Sequence, residues 1–331
     1  MSGVTQDRWA AWFLHRRHGG DPEELRRTLE YLAPIRDRVI AGAQLTEGDT
    51  ILDVGCGDGL IAFRAAEVVG TSGTVIFSDI SAELLDRCRM LADEVELADR
   101  CQYVRAAARD LGPIENASID AVTMRSVLIY EQDKSAAFAE AHRVLRTGGR
   151  LSLFEPINRF GYPEPPGRFM GADVRPVVEL AAKVRAVYET IQPSNSDPMV
   201  NFDERDLIHL AQEAGFAEIH LQLYVDIGQR KPMAWETFLN RAGNPRIPTL
   251  REAMTQALTL EEADHLSTRL RPQIEAGTAR DSLAVAYLSA SRSTEQPLPV
   301  ADLDRQPEHR QVETPRRQPS RSTTDELEFA P

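Results

Sequence analysis

The stretch ILDVGCGDGLIAF, residues 51–63, sets three glycines and two acids between two apolar runs. It reads as a strand that hands over to a helix through a bare loop. Without side chains the backbone turns sharply and approaches a ligand closely, while the following helix offers free N–H groups. Taken alone, Gly55-x-Gly57-x-Gly59 fits a dinucleotide, a nucleoside or simply a tight turn.

Two acids narrow the choice. Asp79 closes the next apolar run, VIFSD, 20 residues beyond Gly59. There it can accept hydrogen bonds from both hydroxyls of a ribose, or cap the helix that begins after Ser81. Asp53 lies in the strand directly ahead of the loop. A pyrophosphate so close to a carboxylate would be repelled, whereas a cationic amine or sulfonium would be attracted. The spacing GxGxG is also one residue short of the dinucleotide fingerprint. A nicotinamide-dependent oxidoreductase shares the loop and the ribose acid, and remains the alternative on these residues.

Outward from the loop, strand-like and helix-like segments alternate. Short apolar strands are expected at 50–54, 74–78, 101–105, 119–124 and 149–155, with helices near 59–69, 81–98 and 133–146. That rhythm gives βαβ units, hence a parallel sheet with helices on both faces. Upstream, DRWAAWFLHRRH (residues 7–18) sets Trp9, Trp12, Phe13 and Arg16 at helical spacing, and Gly19-Gly20 stops that helix. DPEE at 21–24 starts a second helix, in which Pro34 is expected to produce a kink. After residue 155 come a Pro/Gly/aromatic loop, a helix at about 174–190, a helix in DERDLIHLAQEAGF and a strand in AEIHLQLYVDI. Two or three helices follow over 233–276, and a last strand in DSLAVAYLSA.

ILDVGCGDG, VIFSDIS and AHRVLRTGGRLSLFEP together resemble the class I S-adenosylmethionine-dependent methyltransferases over residues 48–156. The resemblance implies a doubly wound, mostly parallel seven-stranded sheet with N-terminal helices and helical insertions after the fifth and sixth strands. It implies an N-terminal helical lid at 1–45 and a methyltransferase domain at 46–290. Within that domain, 157–200 and 230–277 would be helical insertions that shape the substrate pocket. Its cofactor would be S-adenosyl-L-methionine, with Gly55, Cys56, Gly57 and Gly59 around the methionine part and Asp53 near the amino group. Asp79 would hold the ribose and Ile80 would lie against the adenine. One departure stands out: the family's usual Asp before an Ala is here Ala107 before Ala108. The adenine contact would then pass to the backbone around Ala108 and Arg109, or to Asp110.

No dominant general base stands out for the methyl acceptor. MRSVLIYEQD (residues 124–133) lacks the Asn/Asp-Pro-Pro-Tyr/Phe tetrapeptide of amide- and adenine-N-methylating enzymes. Ser126 is placed to touch the cofactor's methionine end and Tyr130 to face the acceptor, although Tyr130 also suits plain core packing. Glu155 ends the fifth strand, at the edge where open α/β sheets bind ligands, and could steer a cation or accept a proton. His18 on the lid is a further candidate base, with a surface position as the simpler reading. Trp9, Trp12 and Phe13 could roof the pocket, with core packing as the default for such a stripe.

Composition bounds the remainder. The 331 residues carry a net charge of −13, which offers no overall basic footprint for nucleic acid. Lys134, Lys183 and Lys231 are the only lysines among 38 basic residues, a bias towards arginine that fits a GC-rich genome. Three cysteines are too few for a disulfide framework or a zinc site, so no metal is expected. No apolar run reaches membrane-spanning length and no signal peptide is expected, which suits a cytoplasmic protein. The segment 291–331 is polar and Pro-rich and reads as a disordered tail. Expected partners are a small-molecule or peptide substrate from secondary metabolism, with a homodimer as the possible assembly and no nucleic acid.

Overall fold

The apolar runs pair as their alternation requires in the computed structural model of the protein, which describes residues 7–293. Strands β1 (Thr50–Val54), β2 (Thr74–Asp79), β3 (Cys101–Arg105), β4 (Ile119–Arg125) and β5 (Leu145–Pro156) form a parallel set. A two-stranded hairpin of β6 (Arg168–Phe169) and β7 (Ala172–Asp173) stands apart from it. Then β8 (Phe216–Gln229) and β9 (Arg280–Arg292) complete a seven-stranded sheet in the order β3-β2-β1-β4-β5-β9-β8. Strand β9 runs antiparallel to both of its neighbours. The order reverses beside β1, so the carboxyl ends of β1 and β4 open the crevice in which such sheets hold ligands.

Burial follows the pattern of the strands. Helices cover both faces, and β1, β2 and β4 are almost wholly buried, as near-continuous apolar runs demand. One core layer gathers Leu52, Val122, Leu151 and Phe138. The opposite layer packs Ile51, Val75 and Phe77 against Val39 and Ala65. A third cluster, built on Phe169, Val184, Phe238, Leu266 and Leu270, joins the two regions added after β5 and β8. These additions contain the helices Val178–Ile191, Trp235–Asn240, Leu250–Ala257 and Leu260–Glu275.

Several expectations shift. Residues 8–11 are α-helical but Trp12–Arg16 is a π-helical turn, followed by Gly19 and Gly20 with positive φ. The helix Pro22–Ala43 runs unbroken across Pro34. Strand β5 starts at Leu145, four residues before the expected start, and its register against β4 shifts between Leu145 and Arg150. The region 157–200 includes the β6–β7 hairpin as well as a helix. Strand β9 extends to Arg292, so Ser291 and Arg292 belong to the sheet rather than to a tail. The rest of that expected tail, from residue 294, lies outside the described residues, as do residues 1–6 of the expected lid. Among the described residues no helix is long and apolar enough to cross a membrane.

Candidate functional site

Strand β1 ends at Val54, and the loop after it borders a cavity of about 530 Å³. Gly55 and Gly57 line it. Gly57 has φ +58°, and a Cβ there would sit 3.1 Å from the Phe13 ring, so a side chain would be both strained and crowded. Gly59 serves packing instead: a Cβ would fall 2.5 Å from the Phe63 ring, and the residue does not line the cavity. Cys56 ties the loop to β2 through its N–H, which donates to the Ser78 carbonyl at 3.0 Å, while its thiol is buried away from the cavity.

Asp79 does two jobs at once. Its Oδ2 accepts the Gly57 N–H at 3.0 Å and its Oδ1 accepts the Ser81 N–H at 2.9 Å. Ser81 is the true cap of the next helix, its hydroxyl accepting from the Leu84 N–H. Asp79 therefore braces the glycine loop and still faces the cavity with one lone pair left on each oxygen. Burial holds its carboxyl above the usual range, against the pull of these N–H groups. Ile80, 40% exposed, also lines the cavity, as do Ala107, Ala108 and Arg109. Asp110 does not, since its carboxylate accepts the Gly112 N–H at 3.2 Å. Ser126, in the left-handed region at φ +56°, borders the same space.

Asp53 sits beneath the loop rather than in the cavity. It is 1% exposed, its Oδ1 accepts from Thr123 Oγ1 at 2.8 Å, and its Oδ2 has no hydrogen-bond partner among the described residues. Burial pushes its carboxyl up to about 7, with Thr123 and Arg125 pulling the other way. A buried carboxylate oxygen left without a donor is costly in an apolar core. Its place beneath the glycine loop suits a cationic ligand group above it, so the residues present fit S-adenosylmethionine: Asp79 for the ribose, Ile80 and Ala108 for the adenine, Gly55 and Gly57 for the methionine part.

The candidate catalytic residues separate. Tyr130 lines the cavity and meets Trp9 edge-on at 4.9 Å; burial pushes its hydroxyl up to about 12. Glu155 is fully buried and outside the cavity, a correction to its expected role. Its carboxylate accepts the N–H groups of Val127, Leu128 and Ile129 at 2.8, 2.9 and 3.2 Å, clamping the turn that carries Ser126 and Tyr130. His18 is also displaced from the chemistry. It lines a smaller pocket with Arg17, Leu25 and Leu29, its Nδ1 3.3 Å from Thr28 Oγ1, and burial holds its imidazole down to about 4.

The remaining lining residues come from the N-terminal segment and from the far wall. Trp9, Trp12 and Phe13 do roof the cavity, and Trp12 Nε1 donates to the Ala242 carbonyl at 2.8 Å. The Ala242 N–H returns a bond to the Arg16 carbonyl at 2.9 Å, stitching the N-terminal segment to the region after β8. Arg17, Arg125 and Arg241 line the far wall with Asn158 and Met199. Arg125 stands one residue before Ser126 at the end of β4 and could have been found by that position. Arg241 and Asn158 arrive only through tertiary packing.

Comparison with known proteins agrees with this geometry. Residues 52–153 match the methyltransferase domain family. A ubiquinone/menaquinone biosynthesis C-methyltransferase of Xylella fastidiosa is 35% identical over 116 residues, 35% of this chain and 46% of that protein. The 27-O-demethylrifamycin SV methyltransferase of Amycolatopsis mediterranei is 32% identical over 176 residues, 53% of this chain and 62% of that protein. An uncharacterised transposon protein of Streptomyces fradiae is 40% identical over 114 residues, 33% of this chain and 30% of that protein. The chain thus matches less than two thirds of the length of each of these relatives. A methyltransferase-like structure from Bacillus halodurans superimposes with a TM-score of 0.50 at 17% identity, over 79% of this chain and all of that one, which concerns the fold. The sheet order, the glycine loop and the matched domain agree: residues 52–153 carry a methyltransferase domain, set in a sheet of the fold used by class I S-adenosylmethionine-dependent methyltransferases.

Proposed function

We propose that this protein moves a methyl group from S-adenosylmethionine to an oxygen or nitrogen nucleophile of a small natural product or modified peptide, by direct in-line displacement. The observation that carries the reading is a single cavity. Its one wall is the glycine loop with Asp79, and its other walls come from the N-terminal segment and both added regions. The name of the rifamycin-methylating relative, which matches well beyond the core domain, supports a natural-product acceptor. In this reading residues 1–45 act as the lid, and 157–200 with 230–277 shape the acceptor side.

When bound, the cofactor supplies an electrophilic methyl group on a sulfonium. The chain's own residues then act chiefly by position. Asp79 orients the ribose while it fixes Gly57. Glu155 fixes the turn that carries Ser126 and Tyr130. Trp9, Trp12 and Phe13 exclude water from above. No histidine lines the cavity among the described residues, Glu131 is tied to Arg109 at 2.9 Å, and Tyr130 keeps its proton at neutral pH. Holding a nucleophile at near-attack distance is worth roughly 7–11 kcal/mol, so a lone pair or an already ionised oxygen needs little more.

The test is calorimetric titration with S-adenosylmethionine, S-adenosylhomocysteine and NAD, followed by methyl incorporation into a panel of phenolic natural products and modified peptides. Binding of the adenosyl ligands without NAD, and label in an acceptor, is the expected result. Binding of NAD alone would revive the oxidoreductase. Adenosyl binding with no label in any acceptor would favour a non-catalytic module.

A further inference from the structure

The cavity holds more positive charge than its lining neutralises. Five arginines line the cavity, against Asp79 and Glu131. Arg109 is matched by Glu131 and Arg241 by Glu24, at 2.9 and 3.0 Å. Arg17 instead lies over the Phe13 and Trp12 rings, its guanidinium 4.9 and 5.5 Å from their centroids, with no carboxylate in contact among the described residues. Arg125 has neither a hydrogen bond nor an ion pair from its side chain among the described residues. Asp58 acts on Arg17, and Asp53 on Arg125, only through space. Burial lowers Arg17 to about 10, and Arg17 and Arg125 line the same cavity. Two other partly buried arginines are paired: Arg150 meets Asp49 at 2.6 Å and Arg246 meets Asp197 at 2.9 Å. Two neighbouring cations under an aromatic roof are costly unless an anion joins them.

The cofactor does not settle that debt. Its single carboxylate answers at most one of the two guanidinium groups, while its ammonium suits Asp53. A second anion has to arrive with the other ligand. A second cavity of about 400 Å³ adjoins the first and shares Asn158, Met199 and Gly243 with it. Phe169, Met170, Tyr188, Ile247 and Leu283 give it an apolar character.

Resting on the methyltransferase reading, we infer that the acceptor is an organic acid whose apolar body extends into the second chamber and whose carboxylate or phosphate sits between Arg17 and Arg125. Bidentate guanidinium recognition suits either anion, and the pair also disfavours a cationic acceptor.

The experiment uses protein saturated with S-adenosylhomocysteine, titrated in a calorimeter with decanoate, decyl phosphate and the neutral decanamide. At least one acid is expected to bind about tenfold or more tightly than the amide. Decanoate ahead assigns a carboxylate site, and decyl phosphate ahead a phosphate site. Arg17→Gln and Arg125→Gln should each bring the better acid to the level of the amide, and in at least one of the two variants affinity for S-adenosylhomocysteine stays within about threefold. Equal binding of acids and amide, or no binding of either acid, overturns the inference. So does an acid preference that survives both substitutions, or one lost only together with cofactor affinity. Failure of the wild-type protein to bind S-adenosylhomocysteine would instead be a failure of the methyltransferase reading, seen in the first titration.

Discussion

Replacement of Asp79 by Asn tests the proposed ribose contact, with its effect on the loop read separately. In the fold each carboxylate oxygen already accepts one N–H, from Gly57 at 3.0 Å and from Ser81 at 2.9 Å. One lone pair per oxygen therefore remains for a ligand hydroxyl. Two charge-assisted hydrogen bonds at the lower end of their usual range amount to about 3–4 kcal/mol, or roughly a 10²–10³-fold loss of affinity. The asparagine also sets an NH₂ against one of the two N–H donors, which costs about 1–2 kcal/mol of stability and lowers the melting temperature by a few degrees. Calorimetry with S-adenosylhomocysteine reads the first effect and thermal denaturation the second. Comparison of adenosine with 2′,3′-dideoxyadenosine gives the control, because the variant should lose the distinction between them. Retained affinity within about threefold in a folded variant would refute the ribose assignment. An equal loss for the dideoxy ligand would show that Asp79 acts only through the loop.

Two further outcomes follow from the geometry. Asp53 titrates at about 7 in the fold against an ordinary 3.8, so the folded chain binds more protons than the unfolded chain between those values. Stability should then fall as pH rises through that window, by up to about 4 kcal/mol, and Asp53→Asn should flatten the slope in urea denaturation at about pH 5 and pH 8; an identical slope in the variant would contradict the argument. Trp12→Ala removes a buried ring and its bond to the Ala242 carbonyl. A loss of about 3 kcal/mol from docking of the N-terminal segment should speed hydrogen exchange of residues 8–17 about a hundredfold, with little change in the sheet; unchanged exchange would show that this segment is not held as a lid.

The sheet was legible along the chain because β1, β2 and β4 are buried on both faces, and burial on both faces writes itself as continuous apolar runs. The loop was legible for a related reason: Gly55, Gly57 and Gly59 all take positive φ, a backbone state that leaves a mark in residue type. Asp79 lies beside that loop as its spacing implies. Glu155 and His18 were not legible, because nothing local tells a carboxylate that accepts three N–H groups from one that faces a ligand. Nor does the sequence say which pocket an imidazole lines.

What the sequence determined by itself is the parallel core, its strand-to-helix turns and the kind of cofactor they suit, all properties of contiguous residues with a fixed period. What only the tertiary structure decided is the far wall of the cavity. Arg17, Arg125, Asn158 and Arg241 are up to 224 positions apart, yet they line one cavity. Their meeting depends on Trp12 reaching Ala242 and on the third apolar cluster packing the added helices together. Those contacts are set by side-chain burial between distant segments, a condition that no single stretch of the chain carries.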